Sequence, residues 1–338
     1  MTSHPILVTG AAGHLGIHIV RELLATGQQV RALIRQESQR GNFTRFGLDV
    51  AKIEIVTGDL TQPGVAARAI AGCEMVYHAA AVFRTRGVDE DAMVRENFES
   101  TRATIETCLA LGVKRLVYTS SVASLGPSRR PEDIRDERHF NDDPIDGYVR
   151  SKCEAEKLVR EAYERKNLPV VIVNPATILG PGDFKPTPSN WFLLETMKKV
   201  PRAYFNGGHS YCDVEDVARG HVAAMTRGRL GERYVLAGDN IAIRDFFTRV
   251  GTLRGGGRPV ICIGHAVVEV AGLLLEAKAK LTRGTPFFTR RKAHKLIDYY
   301  GYYSSEKANR ELGYQSRSFD LMIARSAAWF EGMGWLPR

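Results

Sequence analysis

Short apolar runs alternate with longer amphipathic stretches along the first half of the chain. Runs rich in Val, Ile and Leu fall at Ile6 to Val8, 29–34, 52–57, 74–78, 115–119 and 169–174. Each is too short for a helix, and runs without a polar face predict strands buried on both sides of a parallel sheet. Helical periodicity covers Leu15 to Leu24, about 90–111 and about 146–165. This alternation predicts an α/β fold, a doubly wound parallel sheet with helices on both faces. Beyond residue 175 the order loosens. A short strand at 211–213 runs into a helix capped by Asp213, a further strand is predicted at 233–237, and helical patterns fill most of 243–334.

The turn after the first strand reads Thr9-Gly-Ala-Ala-Gly-His-Leu-Gly16. Gly10, Gly13 and Gly16 permit a tight strand-to-helix turn, close backbone approach to a ligand and close packing of helix on sheet. Ala12, His14 and Leu15 fill the places between them. The free N–H groups and the positive dipole end of the helix that follows suit a diphosphate. The second strand ends in Ile34-Arg35, and no acidic residue follows until Glu37. A dinucleotide site specific for a ribose 2′-OH places a carboxylate there. A guanidinium instead suits a 2′-phosphate, which it can grip with two hydrogen bonds. An exposed arginine at a strand end is the alternative.

Composition narrows the class. The 338 residues are 44% hydrophobic and 25% charged, as in a globular protein. The five cysteines (73, 108, 153, 212 and 262) are scattered without a CxxC pair, which argues against zinc and a disulfide framework. No metal site is expected. The first strand begins at Ile6 and no apolar run approaches the ~18 residues of a membrane span, so a cytoplasmic location is expected. The net charge of +9 is uneven: residues 276–295 hold seven Lys/Arg against one Glu. No nucleic-acid motif accompanies this charge, so no nucleic-acid partner is expected. Preceded by Val267 to Leu275, apolar apart from Glu269, the basic stretch is either a solvated helix or a peripheral contact with an anionic membrane.

Tyr148 and Lys152 are four residues apart and share one face of the predicted 146–165 helix. A free tyrosine, with a pKa of about 10, is a poor acid–base group at neutral pH, and a neighbouring ammonium lowers that value. Upstream, the 115–119 strand ends in Thr119-Ser-Ser121. Glycine turn, strand-end serines and Y-x-x-x-K together resemble the extended short-chain dehydrogenase/reductase superfamily over nearly the whole chain.

The resemblance implies a Rossmann-type domain at 1–178, with returns near 210–237, and a smaller, mostly helical substrate lobe at 179–209 and 238–338. It implies Ser121, Tyr148 and Lys152 as catalytic residues, with Ser120 a packing neighbour. It also implies that Asp59 and Leu60 border an adenine, that Ala79, Ala80 and Ala81 let the cofactor pass, and that Thr119 lies beside it. Asn97 matches the superfamily's structural asparagine, and Pro175 and Ile178 lie against a nicotinamide. Asp59 as a helix cap before Pro63 is the alternative for that residue. The implied cofactor is NADP(H), with NAD as the alternative, and pairing of the 90–111 and 146–165 helices implies a homodimer.

Within the superfamily, sugar-nucleotide epimerases and dehydratases usually carry a tyrosine where this chain has Leu125, and an arginine where it has His209-Ser-Tyr-Cys. Val30 to Arg35, Pro181 to Thr187, Gly231 to Leu236 and Tyr303 to Tyr314 instead resemble the branch of dihydroflavonol reductases, 3β-hydroxysteroid dehydrogenases and hopanoid-associated proteins. That branch implies NADPH-dependent interconversion of an apolar ketone or aldehyde and its alcohol. The 182–187 loop is expected to border the substrate. A sugar-nucleotide epimerase or dehydratase and a non-catalytic NADP-binding protein are the alternatives.

Overall fold

The computed structural model describes residues 4–83, 89–264, 267, 270, 273 and 298–337. Its centre is a seven-stranded parallel sheet built from β1 (Ile6–Thr9), β2 (Val30–Ile34), β3 (Ile53–Thr57), β4 (Met75–His78), β5 (Arg115–Thr119), β6 (Val170–Pro175) and β10 (Arg233–Leu236). The order across it is β10-β6-β5-β4-β1-β2-β3. The chain winds outward from β1 in one direction and from β4 in the other, so a crevice opens between the carboxyl ends of these two neighbours. That is where an open α/β sheet binds its ligand.

Both faces are covered, which is why the strands read as apolar runs. On one face α1 (His14–Ala25) packs beside α7 (Val214–Arg227), burying Ile17, Val20, Val217 and Ala218. On the other, α3 (Val65–Ile70), α4 (Glu90–Ala110) and α5 (Gly147–Lys166) bury Ala69, Ile105, Ala155 and Val159. Aspartates start three of the helices: Asp89 accepts from Ala92 N, Asp146 from Val149 N and Asp213 from Glu215 N.

The remaining chain forms a second layer of structure. β7 (Thr177–Leu179), β9 (Gly207–Asp213), β11 (Asn240–Ala242) and β13 (Tyr299–Gly301) make a four-stranded sheet, and β8 (Ala203–Tyr204) pairs with β12 (Ile261–Cys262). Around them lie α6 (Pro188–Lys198), α8 (Ile243–Leu253), α9 (Glu306–Leu312) and α10 (Phe319–Gly332). Their shared core is aromatic, with Tyr211, Phe246, Phe319 and Phe330 buried together. The expected helical run over 243–334 is therefore interrupted at 261–262 and 299–301, where edge pairing with β8 and β9 overrides the local pattern. The basic block at 276–295 lies outside the described residues. No helix of the described residues is long and apolar enough to cross a membrane.

The C-terminal helix is tied to the sheet by charge. Arg317 donates to buried Asp213 (2.7 Å) and Asp216 (2.9 Å), and Arg325 to Glu215 (2.6 Å). Burial would raise the Glu215 carboxyl, but Arg325 and Arg21 hold it down at about 2. A carboxyl lowered by folding stabilises above its unfolded value and loses that contribution as pH falls. Stability is expected to drop between pH 4.5 and about 2, in part through Glu215. Arg317→Ala is expected to cost on the order of 3 kcal/mol in urea denaturation at neutral pH, from two lost charged hydrogen bonds.

Candidate active site

The crevice between β1 and β4 opens into a cleft of about 860 Å³. At one end is the glycine turn. Gly10 has φ +64°, and a Cβ there would lie 2.9 Å from Ala80 Cα. A Cβ on Gly16 would lie 2.2 Å from Gly10 O, so the helix can start this close to the strand only without a side chain. Helix α1 begins after Gly13 with no side-chain cap and no carboxylate in its first turn. Its first N–H groups are thus left for a ligand, and an anion suits them. Thr9 fixes the far side, bonding His78 Nδ1 (3.0 Å) and accepting from Ala80 N (3.1 Å). A dinucleotide's diphosphate fits this cradle.

Gly10, Ala12, Gly13, His14, Leu15 and Gly16 all line the cleft, as do Ala79, Ala80 and Ala81 opposite them. At the outer end Arg35, Asp59 and Leu60 also line it. Here the guanidinium is engaged by Asp59 (2.5 Å) and Glu96 (3.3 Å). Asp59 also accepts from Thr61 N and Oγ1 (3.0 and 2.8 Å) in the turn after β3; it is not a helix cap, because α3 starts after Gly64 without a side-chain cap. Asn97 holds the chain after β4 through both Val82 N (2.7 Å) and Val82 O (2.9 Å), and bonds Ser151 Oγ on α5. Its contacts tie strand, α4 and α5 together.

At the inner end the cleft is lined by Thr119, Ser121, Tyr148, Lys152, Pro175 and Ile178. Tyr148 lines the cleft beside Ser121 and is stacked on Phe83, with ring centroids 4.0 Å apart. Burial raises the Tyr148 hydroxyl to about 12, against the opposing effect of Ser121. The neighbouring ammonium does not bring it down. Lys152 Nζ turns to Thr119 O (3.0 Å), and burial lowers Lys152 itself to about 8, partly offset by Glu156.

The two strand-end serines face opposite ways. Both border the cleft, but the buried Ser120 hydroxyl turns behind it and donates to Glu156. Fully buried Glu156 also accepts from Ser124 Oγ (2.6 Å) and Asn174 Nδ2 (2.7 Å), and pairs with Arg233 (2.7 Å). This cluster lies one helical turn beyond Lys152, beneath the Ser121 backbone that Asn174 also holds (3.2 Å). The pattern of residues did not single it out. Its only sequence signal is that Glu156 continues the Tyr148–Lys152 face at the same four-residue step.

The cleft continues past Tyr148 between Ile145, Ile178, Pro186, Pro188, Tyr299 and His209. Burial lowers His209 to about 4, so it is neutral at pH 7. In the 182–187 loop it is Lys185, Pro186 and Thr187 that face this end. Asp183 is buried instead, accepting from Thr187 N (2.7 Å) and Asn190 Nδ2 (3.0 Å) at the start of α6.

Residues 6–237 match the sequence model of the NAD dependent epimerase/dehydratase family. The chain belongs to that family. Like its relatives it is an NAD(P)-dependent oxidoreductase of the extended short-chain dehydrogenase/reductase type, acting on a small molecule. A Synechocystis sp. protein named as a dihydroflavonol 4-reductase is 32% identical over 335 residues, spanning 97% of this chain and 95% of its own. Sterol demethylase protein B of Methylococcus capsulatus is 32% identical over 334 residues, spanning 97% of this chain and 98% of its own. The crystal structure of gox2253 superposes with a TM-score of 0.87 at 34% identity, over 99% of this chain and 100% of that one.

Removing one partner of a buried ion pair leaves an uncompensated charge, at a cost of about 3–5 kcal/mol. Glu156→Ala is expected to lose that much in urea denaturation, whereas an exposed change such as Glu106→Ala is expected to fall within about 0.5 kcal/mol of wild type.

Proposed function

We propose that this protein is an NADPH-dependent reductase that interconverts an apolar ketone or aldehyde, of sterol-, terpenoid- or phenolic-like character, and its alcohol. One observation carries the proposal. Ser121 and Tyr148 meet the cleft where Ile145, Ile178, Pro186 and Pro188 make its wall largely apolar, with His209 uncharged where a sugar-nucleotide enzyme of this superfamily usually has an arginine. The names of the Synechocystis and Methylococcus relatives support the same substrate class.

The bound nicotinamide would supply the hydride, which goes to the carbonyl carbon as the C=O π pair moves onto oxygen. Tyr148 gives its proton to that oxygen. A hydroxyl held protonated by burial suits an acid that meets a strongly basic alkoxide, which favours the reductive direction. Ser121 donates to the same oxygen. Donors already in place where charge develops lower the barrier most. Lys152, poised beside Thr119 O, would hold the ribose hydroxyls, and its ammonium then helps Tyr148 release its proton. Pro175 and Ile178 would pack on the nicotinamide, and Asp59, Leu60 and Thr119 would line the rest of the cofactor.

Arg35 would grip the 2′-phosphate of NADP(H), exchanging its contacts with Asp59 and Glu96 for that phosphate. The titration of NADPH and NADH by fluorescence tests this. Wild type is expected to bind NADPH at least tenfold tighter, about 1.4 kcal/mol, and Arg35→Ala to lose that margin. Glu96→Gln removes a competing carboxylate and is expected to widen it. Equal affinity for both cofactors in the wild type would refute NADPH preference and favour the NAD-using epimerase alternative.

A further inference from the structure

The outer face of the substrate lobe combines exposed apolar side chains with unpaired cations. Val260 and Ile261, at the start of β12, are 69% and 56% exposed. The helical residues Val267, Val270 and Leu273 follow at three-residue steps, 61%, 56% and 55% exposed. Arg202 is hydrogen-bonded through its carbonyl oxygen to both Val260 N (3.0 Å) and Ile261 N (3.2 Å). Lys199, Arg202 and Arg258 are all exposed, and among the described residues no carboxylate pairs with them. The sequence has no Asp or Glu from Thr196 to Asn206 or from Arg254 to Val268.

We propose that this face docks on an anionic lipid surface. Cations beside the exposed Val260–Ile261 pair match the two layers of such a surface, headgroup phosphate above acyl chain. A nucleic acid would use the cations and leave the apolar side chains in water. The face is also continuous with the cleft wall. Ile263 N donates to Tyr204 O (2.7 Å), Asp298 N donates to Asn206 O (3.0 Å), and Tyr299 pairs in register with Gly207. Tyr299 and His209 border the substrate end of the cleft. The docked face is therefore joined to the cleft wall through the 204–207 segment between β8 and β9. The proposal goes beyond the reductase reading and does not depend on it.

Co-sedimentation with vesicles of phosphatidylcholine, with and without phosphatidylglycerol, tests the idea. The protein is expected to pellet with the phosphatidylglycerol vesicles at low salt and to be released by high salt. Arg202→Glu/Arg258→Glu is expected to weaken that binding at least about tenfold. Val260→Ser/Ile261→Ser should weaken it as well. NADPH affinity serves as the check that both double variants are folded. No pelleting, equal pelleting with both vesicle types, or wild-type binding by both double variants would overturn the proposal. So would loss of a dimer, by size-exclusion chromatography without lipid, in Val260→Ser/Ile261→Ser, since that assigns the face to a second copy of the chain.

Discussion

Everything at this site depends on how closely the first helix approaches the first strand. Gly10 O occupies the space that a side chain at position 16 would need, and Ala80 backbone fills the space beside Gly10 itself. With two glycines and a run of alanines at the ends of β1 and β4, backbone meets backbone. The crevice at the reversal of strand order then becomes narrow, lined by main chain and rich in unpaired N–H groups. A side chain at either glycine would push the helix away and remove the anion site with it. The rest of the cleft is hung from this junction: Arg35 and Asp59 at the ends of the next strands out, Thr119 and Ser121 at the end of the strand on the other side.

The second constraint is electrostatic. Tyr148 is half-buried in the cleft wall and Lys152 is buried, and desolvation disfavours the charged form of each. The hydroxyl is held as an acid, and the ammonium keeps its proton only up to about pH 8. Glu156 is the buried carboxylate near Lys152, and Arg233 and three neutral donors hold it in place. A polar cluster behind the site thus supports the charge state of a residue in it. Buried clusters of this kind work only when every member is satisfied. That explains why its loss is expected to cost stability as well.

Much of this was legible in the sequence because the signals are local. Strand runs buried on two faces, glycines at fixed steps and a tyrosine four residues before a lysine are all consequences of backbone geometry over a few residues. The 19 positions expected to line the site do line one cleft. What could not be read was long-range. Glu156 meets Arg233 across 77 residues of chain, Phe83 covers Tyr148 across 65, and Asp183 turns inward because Thr187 N and Asn190 at the start of α6 take its carboxylate. The strand at 299–301 exists because β9 presents an edge to it, not because its own three residues demand extended structure. The effect of Lys152 on Tyr148 is illegible for the same reason: spacing puts both on one face, but burial and the Thr119 carbonyl decide where the ammonium points and what charge the site holds.

The central claim is direct hydride transfer to a carbonyl carbon with Tyr148 as the acid. It is tested most directly with NADPH carrying deuterium at C4, an apolar ketone or aldehyde that the enzyme turns over, and mass spectrometry of the product. The account predicts one deuterium on the new carbinol carbon in the wild type, and loss of turnover in Tyr148→Phe with NADPH affinity unchanged. Product without the label, or undiminished turnover in Tyr148→Phe, would contradict it.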